Sequence, residues 1–263
     1  MRLERLNLDN LREGIFCAKG NPHESEMHEQ LEAWLEGARL RGQLARGEGG
    51  ELQGFILYYP IKEAPLDVEG DGLYMVQCLY VKPEAQSKGV GKALINSVLS
   101  DARESGRSGI AVEGFEGVRR RDFDYMPSAF FRHLGMQPGE SRRSGTLYYS
   151  LESNAKPPKY LEPKIEVLRV QPRIKVDVFD CRRCFVGISN REVIKTVVES
   201  VYPSNVELAI HDQTTRQAVV DKGMSSGVFI DGKLTFFSGP INEEDVMTAL
   251  DVAMAAREQQ IDR

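Results

Sequence analysis

One stretch of the sequence, residues 79–106, constrains the fold more than any other. An apolar run that begins near Leu73 ends there, and Pro83 stops this strand because proline has no amide hydrogen for a sheet ladder. The segment from Gln86 to Gly91 then leads into a helix whose apolar residues recur at helical spacing. These apolar residues are Val90, Leu94, Ile95, Val98 and Leu99. The stretch therefore predicts a strand, a tight turn and an amphipathic helix.

The turn within this stretch has the chemistry of an anion site. Gly89 and Gly91 lack side chains, so a ligand could approach the backbone closely. The first amides of a helix have no partner within the helix, and its dipole favours negative charge. Lys88 and Lys92 add positive charge at the same end, which makes phosphate or pyrophosphate the expected ligand. The glycine spacing fits neither a Walker loop nor a dinucleotide fingerprint. The alternative is a strand–helix turn that binds nothing.

These residues resemble the signature of the GNAT superfamily of acyl-CoA N-acyltransferases. That signature, Gln/Arg-x-x-Gly-x-Gly/Ala after a strand ending in apolar-x-Val-x-Pro, is matched by residues 86–91 and 79–83. The resemblance implies that acetyl-CoA is the co-substrate and lies where the central strand separates from its parallel neighbour. A backbone amide near Leu79 would polarise the thioester carbonyl. The implied cofactor-binding residues are Leu79, Tyr80 and Val81 beside the pantetheine, and Gln86, Ser87, Lys88, Gly89, Val90, Gly91 and Lys92 in the pyrophosphate loop.

Composition narrows the class of protein and its expected surroundings. The chain has 263 residues, of which 41% are hydrophobic and 28% charged, and this is typical of globular domains. A net charge of -5 gives no support for nucleic-acid binding, and no apolar run reaches membrane-spanning length. The charged N-terminus lacks a signal-peptide core, and four cysteines do not form a secreted disulfide framework. We therefore expect a cytoplasmic protein with neither nucleic acid nor membrane as a partner.

The pattern before residue 153 predicts an acyltransferase-like domain over residues 1–152. Its central feature is a strand over 73–81 followed by the helix already described and a buried strand over 109–115, which would pair in parallel with the first. The remaining predicted elements are a first strand near Leu3–Leu8, a helix over 24–41, strands over 43–46 and 52–59, a short helix over 128–134, and strands over 136–140 and 145–151.

A Pro-rich stretch, residues 153–163, predicts an extended linker, because it has no helical or strand pattern. Residues 164–263 then form a second domain with the order β-α-β-α-β-β-α, beginning with an alternating strand over 174–179. Its other elements are a helix over 190–201, a strand over 206–210, a helix over 214–222, strands over 227–230 and 234–237, and a last helix that begins at Asn242. The order resembles a thioredoxin fold, and the whole chain resembles acetyltransferases with a YoaP-like C-terminal domain. The predicted fold class is α/β: a GNAT mixed-sheet acyl-CoA N-acyltransferase domain followed by a thioredoxin-like domain.

The resemblance implies direct attack of an amine on the thioester, which needs a proton acceptor and a proton donor. Phe131 stands where the family often has a Tyr donor, and a phenyl ring has no proton to give. Glu113, in an otherwise apolar strand, is our candidate base, and Tyr125 is a candidate donor. For Glu113 the alternative is a strand-end residue that faces solvent or an arginine. His133 is expected on a different helix face from Phe131, as a surface residue.

The second domain carries a Cys-x-x-Cys motif, Cys181 to Cys184, close after its first strand. Arg182, Arg183 and the N-terminus of the following helix could lower a thiol pKa and so favour redox chemistry. Two alternatives stay open. The fold could have lost redox activity and serve acceptor binding or dimerisation, or the cysteines could bind a metal, for which two ligands are too few. We predict no metal site.

Together these patterns predict an acetyl-CoA-dependent N-acetyltransferase that acts on a primary amine of a small molecule or peptide. The competing hypothesis is a thiol or redox module in which the first domain binds CoA as a sensor. A third is a scaffold that uses the second domain for association, and a homodimer is compatible with each.

Overall fold

The structure is a computed structural model that describes residues 1–117, 119–120, 123–141, 145–152, 155–165, 173–237 and 239–261. The chain divides into two compact units. The first comprises Met1–Ala64 and Val68–Leu161, and the second comprises Pro65–Asp67 and Glu162–Arg263.

The first unit is built from eleven strands and four α-helices among the described residues. The strands are β1 (Arg2–Arg5), β2 (Arg41–Arg46), β3 (Leu52–Pro60), β4 (Val68–Glu69), β5 (Leu73–Val81), β6 (Gly109–Gly114), β7 (Arg119–Arg120), β8 (Phe123–Asp124), β9 (Gln137–Ser141), β10 (Gly145–Ser150) and β11 (Lys159–Tyr160). The helices are α1 (Leu8–Gly14), α2 (Glu24–Glu36), α3 (Val90–Glu104) and α4 (Ser128–His133), and short 3₁₀ turns lie at Phe16–Ala18 and Pro83–Ala85.

Seven of these strands form one mixed sheet in the order β1-β2-β3-β5-β6-β10-β9. All neighbours are antiparallel except β5 and β6, which run parallel and are joined by α3. A parallel pair needs a crossover of this kind, because the chain must return to the same end of the sheet. The prediction of a parallel pair around α3 is therefore confirmed.

Helix α3 is held to the sheet by the apolar stripe that the sequence predicts. Val90, Leu94, Ile95, Val98 and Leu99 are all buried, and the helix packs on β2, β3, β5 and β6. On such a helix most of the stability comes from burial of this face. The stripe thus fixes both the rotation of α3 and the position of its N-terminus.

Three boundary predictions for the first unit and the linker are wrong. The helix predicted over 24–41 ends at Glu36, because Gly37 follows it and Ala38 adopts a left-handed φ of 53° that no helix can continue. Arg41 instead begins β2. Strand β4 lies between the predicted strands over 52–59 and 73–81, where no element was predicted, and β11 lies in the predicted linker. The two pair in antiparallel register, Lys159 with Glu69 and Tyr160 with Val68.

The second unit has a four-stranded sheet in the order β13-β12-β14-β15. Its elements are β12 (Ile174–Asp180), α5 (Phe185–Val201), β13 (Val206–Asp212), α6 (Arg216–Lys222), β14 (Gly227–Ile230), β15 (Lys233–Phe236) and α7 (Glu243–Ile261). Strand β13 is parallel to β12, whereas β14 is antiparallel to both β12 and β15. The order β-α-β-α-β-β-α predicted from the sequence is the order observed.

The central strand β12 separates two apolar layers of the second unit. Ile174, Val176 and Val178 face the buried side chains of α5 and α7, whereas Phe179 belongs to a smaller cluster with Met224 and Phe229. Helix α5 begins at Phe185, five residues before the predicted start. Val186 and Ile188 are buried and stabilise this extra turn. None of the described helices combines the length and the apolar composition needed to span a bilayer.

Candidate functional site

The two parallel strands of the first unit separate partway along their length. They pair from Leu73 with Gly109 to Val76 with Val112, but β5 continues to Val81. Over this second half β5 keeps its pairing with β3 on the other edge. Over this second half β5 no longer pairs with β6, and a gap opens beside it.

A β-bulge accompanies this separation. Leu57 pairs with Cys78 and Tyr58 pairs with Val76, so Gln77 is an extra residue on β5. Gln77 is buried, and its side-chain oxygen accepts a hydrogen bond from the Tyr59 hydroxyl. A bulge bends its strand and increases the local twist, and bulges are common beside active sites. The residue pattern carries no signal for this bulge, and the sequence prediction missed it.

A cavity of about 510 Å³ occupies the gap. It is lined by Leu79, Tyr80, Val81, Gln86, Ser87, Gly89, Val90, Gly91, Lys92, Met126, Pro127, Phe130, Phe131, His133 and Leu134. Every residue predicted from the sequence to bind the co-substrate is in this set except Lys88, whose exposed side chain lies outside the described lining. The structure thus brings the end of β5, the loop and the first turn of α3 together around one space.

The loop before α3 points backbone amides toward this space. Ser87 and Gly89 both have left-handed φ values, 59° and 81°. Gly89 is the N-cap of α3, and no side chain in the described structure caps that helix. The first amides of α3 thus keep free hydrogen-bonding capacity at the positive end of its dipole. Gln86 fixes the start of the loop, because its side-chain amide donates to the Val81 carbonyl at 3.1 Å.

The two loop glycines are needed for different reasons. A Cβ on Gly89 would meet nothing within 4 Å, so glycine is needed there for its left-handed φ and not for lack of space. A Cβ on Gly91 would lie 3.1 Å from Cζ of Phe130, so Gly91 allows the close approach of α3 and α4. The open space at Gly89 is where a ligand could lie directly on the backbone.

Helix α4 supplies the opposite, largely apolar wall. Phe131 is fully buried and lines the cavity, and its ring lies edge-on to Phe130 at a centroid distance of 5.2 Å. His133, expected on a different face from Phe131, is exposed but also lines the cavity. The apolar lining residues of α4 and its two caps, at positions 127, 130, 131 and 134, recur at intervals of three or four residues. Helical periodicity could therefore have identified this wall from the sequence.

The two predicted catalytic residues lie outside the described lining of the cavity. Glu113 is buried in β6 and accepts a hydrogen bond at 2.9 Å from the hydroxyl of Tyr160, in β11. The next residue, Gly114, faces α4, so Glu113 belongs to the opposite face of the sheet. Tyr125 packs its ring on Phe115 at 5.4 Å, directly before the cavity-lining Met126. Their catalytic roles stay predictions.

The cysteine motif of the second unit has two different environments. Cys181 is buried, and this burial raises the pKa of its thiol to about 11. Cys184 is half-buried and forms the N-cap of α5. Arg182, one of the predicted activating charges, pairs instead with Asp212 at 2.9 Å. The described residues include no group of three or more His, Cys, Asp or Glu side chains that could hold a metal ion.

Comparisons with known proteins find one family match and several similar structures. Residues 8–118 match the model of the Acetyltransferase (GNAT) family. Solved structures with a similar fold include a putative GNAT acetyltransferase from Desulfovibrio desulfuricans, with 20% identity, 57% of this chain and 98% of that chain covered, and a TM-score of 0.41. A GNAT acetyltransferase from Brucella melitensis in complex with acetyl-CoA has 17% identity, coverage of 60% and 96%, and a TM-score of 0.38.

A third similar structure, a GNAT N-acetyltransferase from Escherichia coli in complex with CoA, has 13% identity, coverage of 60% and 87%, and a TM-score of 0.43. A search of curated proteins finds no match to the sequence. The family match covers residues 8–118, which lie in the first unit and are less than half of the 263 residues of the chain. Over these residues the first unit is similar to acetyltransferases, which are acyl-transferring enzymes.

Proposed function

We propose that the first unit transfers an acetyl group from acetyl-CoA to a primary amine by direct attack. The observation that carries this proposal is the cavity of about 510 Å³ between the end of β5 that has separated from β6, the N-terminus of α3 and the wall of α4. Its volume lies within the roughly 300–1,000 Å³ of most small-molecule sites. The family match of residues 8–118 supports the same reaction class.

The loop residues would hold the pyrophosphate of the co-substrate. Backbone amides from Lys88 to Lys92 lie at the uncapped, positive end of α3, and Lys92 adds a charged side chain to the lining. Residues Leu79–Val81 of β5 lie beyond the pairing with β6, and pantetheine would lie beside this edge and add to β5 like a strand.

The bulged strand would provide the electrophilic assistance. Acetyl-CoA supplies the acetyl group as a thioester. A backbone amide near Leu79 would donate to the carbonyl oxygen as the amine nitrogen bonds to carbon and the C–S bond breaks. The bulge at Gln77 tilts this part of β5 away from its regular register. Such a tilt is how one amide of a strand can be turned toward a ligand.

Acetyl transfer also needs a route for protons. The attacking amine must lose a proton and the departing thiolate must gain one. Phe131 lines the cavity but has no proton to give. We propose Glu113, which lies outside the described lining and accepts a hydrogen bond from Tyr160, as a base that acts through water, and Tyr125 as the donor. Water in the open cavity is the alternative donor.

The activity is tested by measuring thiol release from acetyl-CoA with a panel of primary amines. We expect release above the amine-free rate for at least one acceptor, with loss of release in Glu113→Gln. The Glu36→Gln variant, at the exposed end of α2, is the matched control and should be unchanged. A protein that binds CoA but turns over no amine would contradict the transferase proposal and favour a CoA-binding role.

We further propose that the second unit is a thioredoxin-like domain of the YoaP-like kind. Its element order, its parallel β12–β13 pair and its antiparallel β14–β15 pair support this. A cytoplasmic location, a homodimer and a redox role for Cys181 and Cys184 stay predictions.

A further inference from the structure

The second unit contains a small polar cavity that plays no part in the proposed acetyl transfer. Its volume is about 140 Å³, which is well below the roughly 300–1,000 Å³ of sites for drug-sized ligands. It is lined by Lys164, Ile165, Lys175, Asp177, Phe179, His211 and Lys222. Such a cavity has room for a small ion or a few water molecules.

Asp177 forms the buried part of this cavity. It lies in the central strand β12, between Val176 and Val178, which face the opposite layer of the unit. Only 2% of Asp177 is exposed. Its Oδ1 atom is 2.7 Å from Nε2 of His211 and 3.4 Å from Nζ of Lys175. The side chain of Asp177 is therefore charged and is fixed in position by His211 and Lys175.

The second oxygen of Asp177 has no partner. Oδ2 is buried and makes no hydrogen bond to any described residue. A buried carboxylate oxygen without a donor is costly, and nearly all such groups in folded proteins have one. Because Asp177 lines the cavity, a molecule in the cavity is the natural source of that donor.

The histidine beside Asp177 is fixed as firmly. Its ring stacks on Phe179 with a centroid distance of 4.5 Å and an interplanar angle of 11°. Phe179 in turn packs edge-on against Phe229 at 5.7 Å. The ring of Phe179 therefore fixes the imidazole, and the imidazole in turn holds Oδ1 of Asp177. Because the carboxylate is held in this way, its other oxygen, Oδ2, has a defined position.

The remaining polar lining is positive. Three lysines, Lys164, Lys175 and Lys222, surround one carboxylate, so the cavity favours an anion. Lys164 is oriented by a hydrogen bond of 3.0 Å from Nζ to the Val220 carbonyl, and Lys222 is the last residue of α6. The ligand must therefore carry negative charge for the lysines and a hydrogen-bond donor for Asp177.

We propose that this cavity binds the free hydrogen phosphate ion. Its oxygens accept hydrogen bonds from the lysines, and its P–OH group donates to Oδ2 of Asp177. Sulfate has the same shape but no proton near neutral pH, so its oxygen would face the carboxylate without a hydrogen between them. The site thus selects phosphate over sulfate.

The test uses NMR of the imidazole nitrogens of His211 in the full chain, which has four histidines. Inorganic phosphate and sulfate are titrated separately at pH 7 and equal ionic strength. We expect phosphate to shift the His211 signals in a saturable way, with affinity at least about tenfold above that for sulfate. Because the signal is local to β13, phosphate bound at the loop of the first unit does not contribute. Methyl phosphate, whose second pKa of about 6 leaves it mostly without a P–OH proton at pH 7, should bind as weakly as sulfate.

Two variants and one control localise the effect. Lys222→Met should weaken phosphate binding about tenfold, whereas Lys233→Met, an exposed lysine of the same unit outside the cavity, should not. Asp177→Asn should remove the preference for phosphate over sulfate. Because Asp177 is buried, its replacement also affects packing in the second unit. The result for Asp177→Asn is therefore interpreted together with that for Lys222→Met, which changes only an exposed side chain. Equal affinity for the two anions in the natural protein, or equal loss in Lys222→Met and Lys233→Met, would overturn the proposal.

Discussion

Asp101, in the last turns of α3, shows how a single charge is held in the first unit. The Tyr58 hydroxyl donates to it at 2.6 Å and Arg41 donates at 2.8 and 2.9 Å. Burial alone would raise the pKa of Asp101, but these hydrogen bonds outweigh it and lower the pKa below the ordinary 3.8. Burial and the bond to Asp101 also raise the pKa of Tyr58. The charged form of Asp101 therefore stabilises the fold.

The pH dependence of stability tests this network. A carboxylate with a lowered pKa contributes stability above its unfolded pKa and loses it as the pH falls through its folded pKa. We expect Asp101→Asn to reduce the free energy of unfolding by about 1–3 kcal/mol at pH 7, with the difference shrinking below about pH 4. Urea unfolding measures it, with Asp9→Asn, an exposed residue of α1, as the control. A difference that stayed constant down to pH 2 would contradict this assignment.

The two cysteines of the Cys-x-x-Cys motif should differ in reactivity. Only the thiolate reacts with alkylating reagents, and burial both raises the pKa of Cys181 to about 11 and blocks access to it. We therefore expect iodoacetamide at pH 7.5 to modify Cys184 well before Cys181, as measured by peptide mass spectrometry. Denatured protein, in which both react at similar rates, is the control. Faster labelling of Cys181 in the folded chain would be inconsistent with its burial.

At the scale of elements, α4 determines the proton chemistry of the cavity. Its wall is apolar at Phe131, where the resemblance to the family suggests a tyrosine donor. We expect Phe131→Tyr to raise the turnover of acetyl transfer about tenfold, because a phenol beside the cavity can protonate the departing thiolate. Phe130→Tyr, which adds the same group one residue earlier, is the control in the thiol-release assay. Unchanged or lower turnover in Phe131→Tyr alone would show that proton donation does not limit the reaction.

Elements with a strong residue pattern could be predicted from the sequence. Helix α3 has an apolar stripe and a glycine turn, and its role in a parallel crossover followed from the strands on either side. The bulge at Gln77 could not be predicted, because it depends on how β3 and β5 align and not on a local pattern. The end of α2 was missed because helical spacing continues past Gly37, while the left-handed Ala38 turns the chain.

The same limit applies to pairs of short strands. Strands β4 and β11 are two residues each and lie about ninety positions apart in the chain, so neither has a recognisable pattern. Through β11, however, Tyr160 reaches Glu113 at 2.9 Å. A residue read as linker thus became the partner of the candidate base, which no local reading of the sequence could have indicated.

At the scale of the whole molecule, the chain is divided into two compact units. The boundary lies at Glu162, close to the predicted start of the second domain at residue 164, but Pro65–Asp67 also belongs to the second unit. Within that unit the Ser225 hydroxyl donates to Asp67 at 2.7 Å. This assignment could not be predicted, since the three residues interrupt the first unit in sequence and carry no motif.

The division predicts which substitutions leave acetyl transfer intact. All described residues that line the larger cavity belong to the first unit. We therefore expect Cys184→Ser to leave both CoA affinity and acetyl transfer within about twofold of the natural protein, because Cys184 belongs to the second unit and does not line this cavity. Calorimetry and the thiol-release assay measure the two quantities. Loss of turnover in Cys184→Ser would instead support the redox hypothesis for the whole chain.

The most direct test of the account is calorimetric titration of CoA into Gly89→Glu and Gly106→Glu. Both glycines are exposed, have left-handed φ values of 81° and 63°, and would place a Cβ in open space, so the two substitutions impose similar strain. Only Gly89 lies in the anion loop, where a carboxylate would fill the proposed pyrophosphate position and repel it. We predict that Gly89→Glu weakens CoA binding at least about a hundredfold while Gly106→Glu binds as the natural protein does. Equal affinity in the two variants would contradict the placement of the co-substrate.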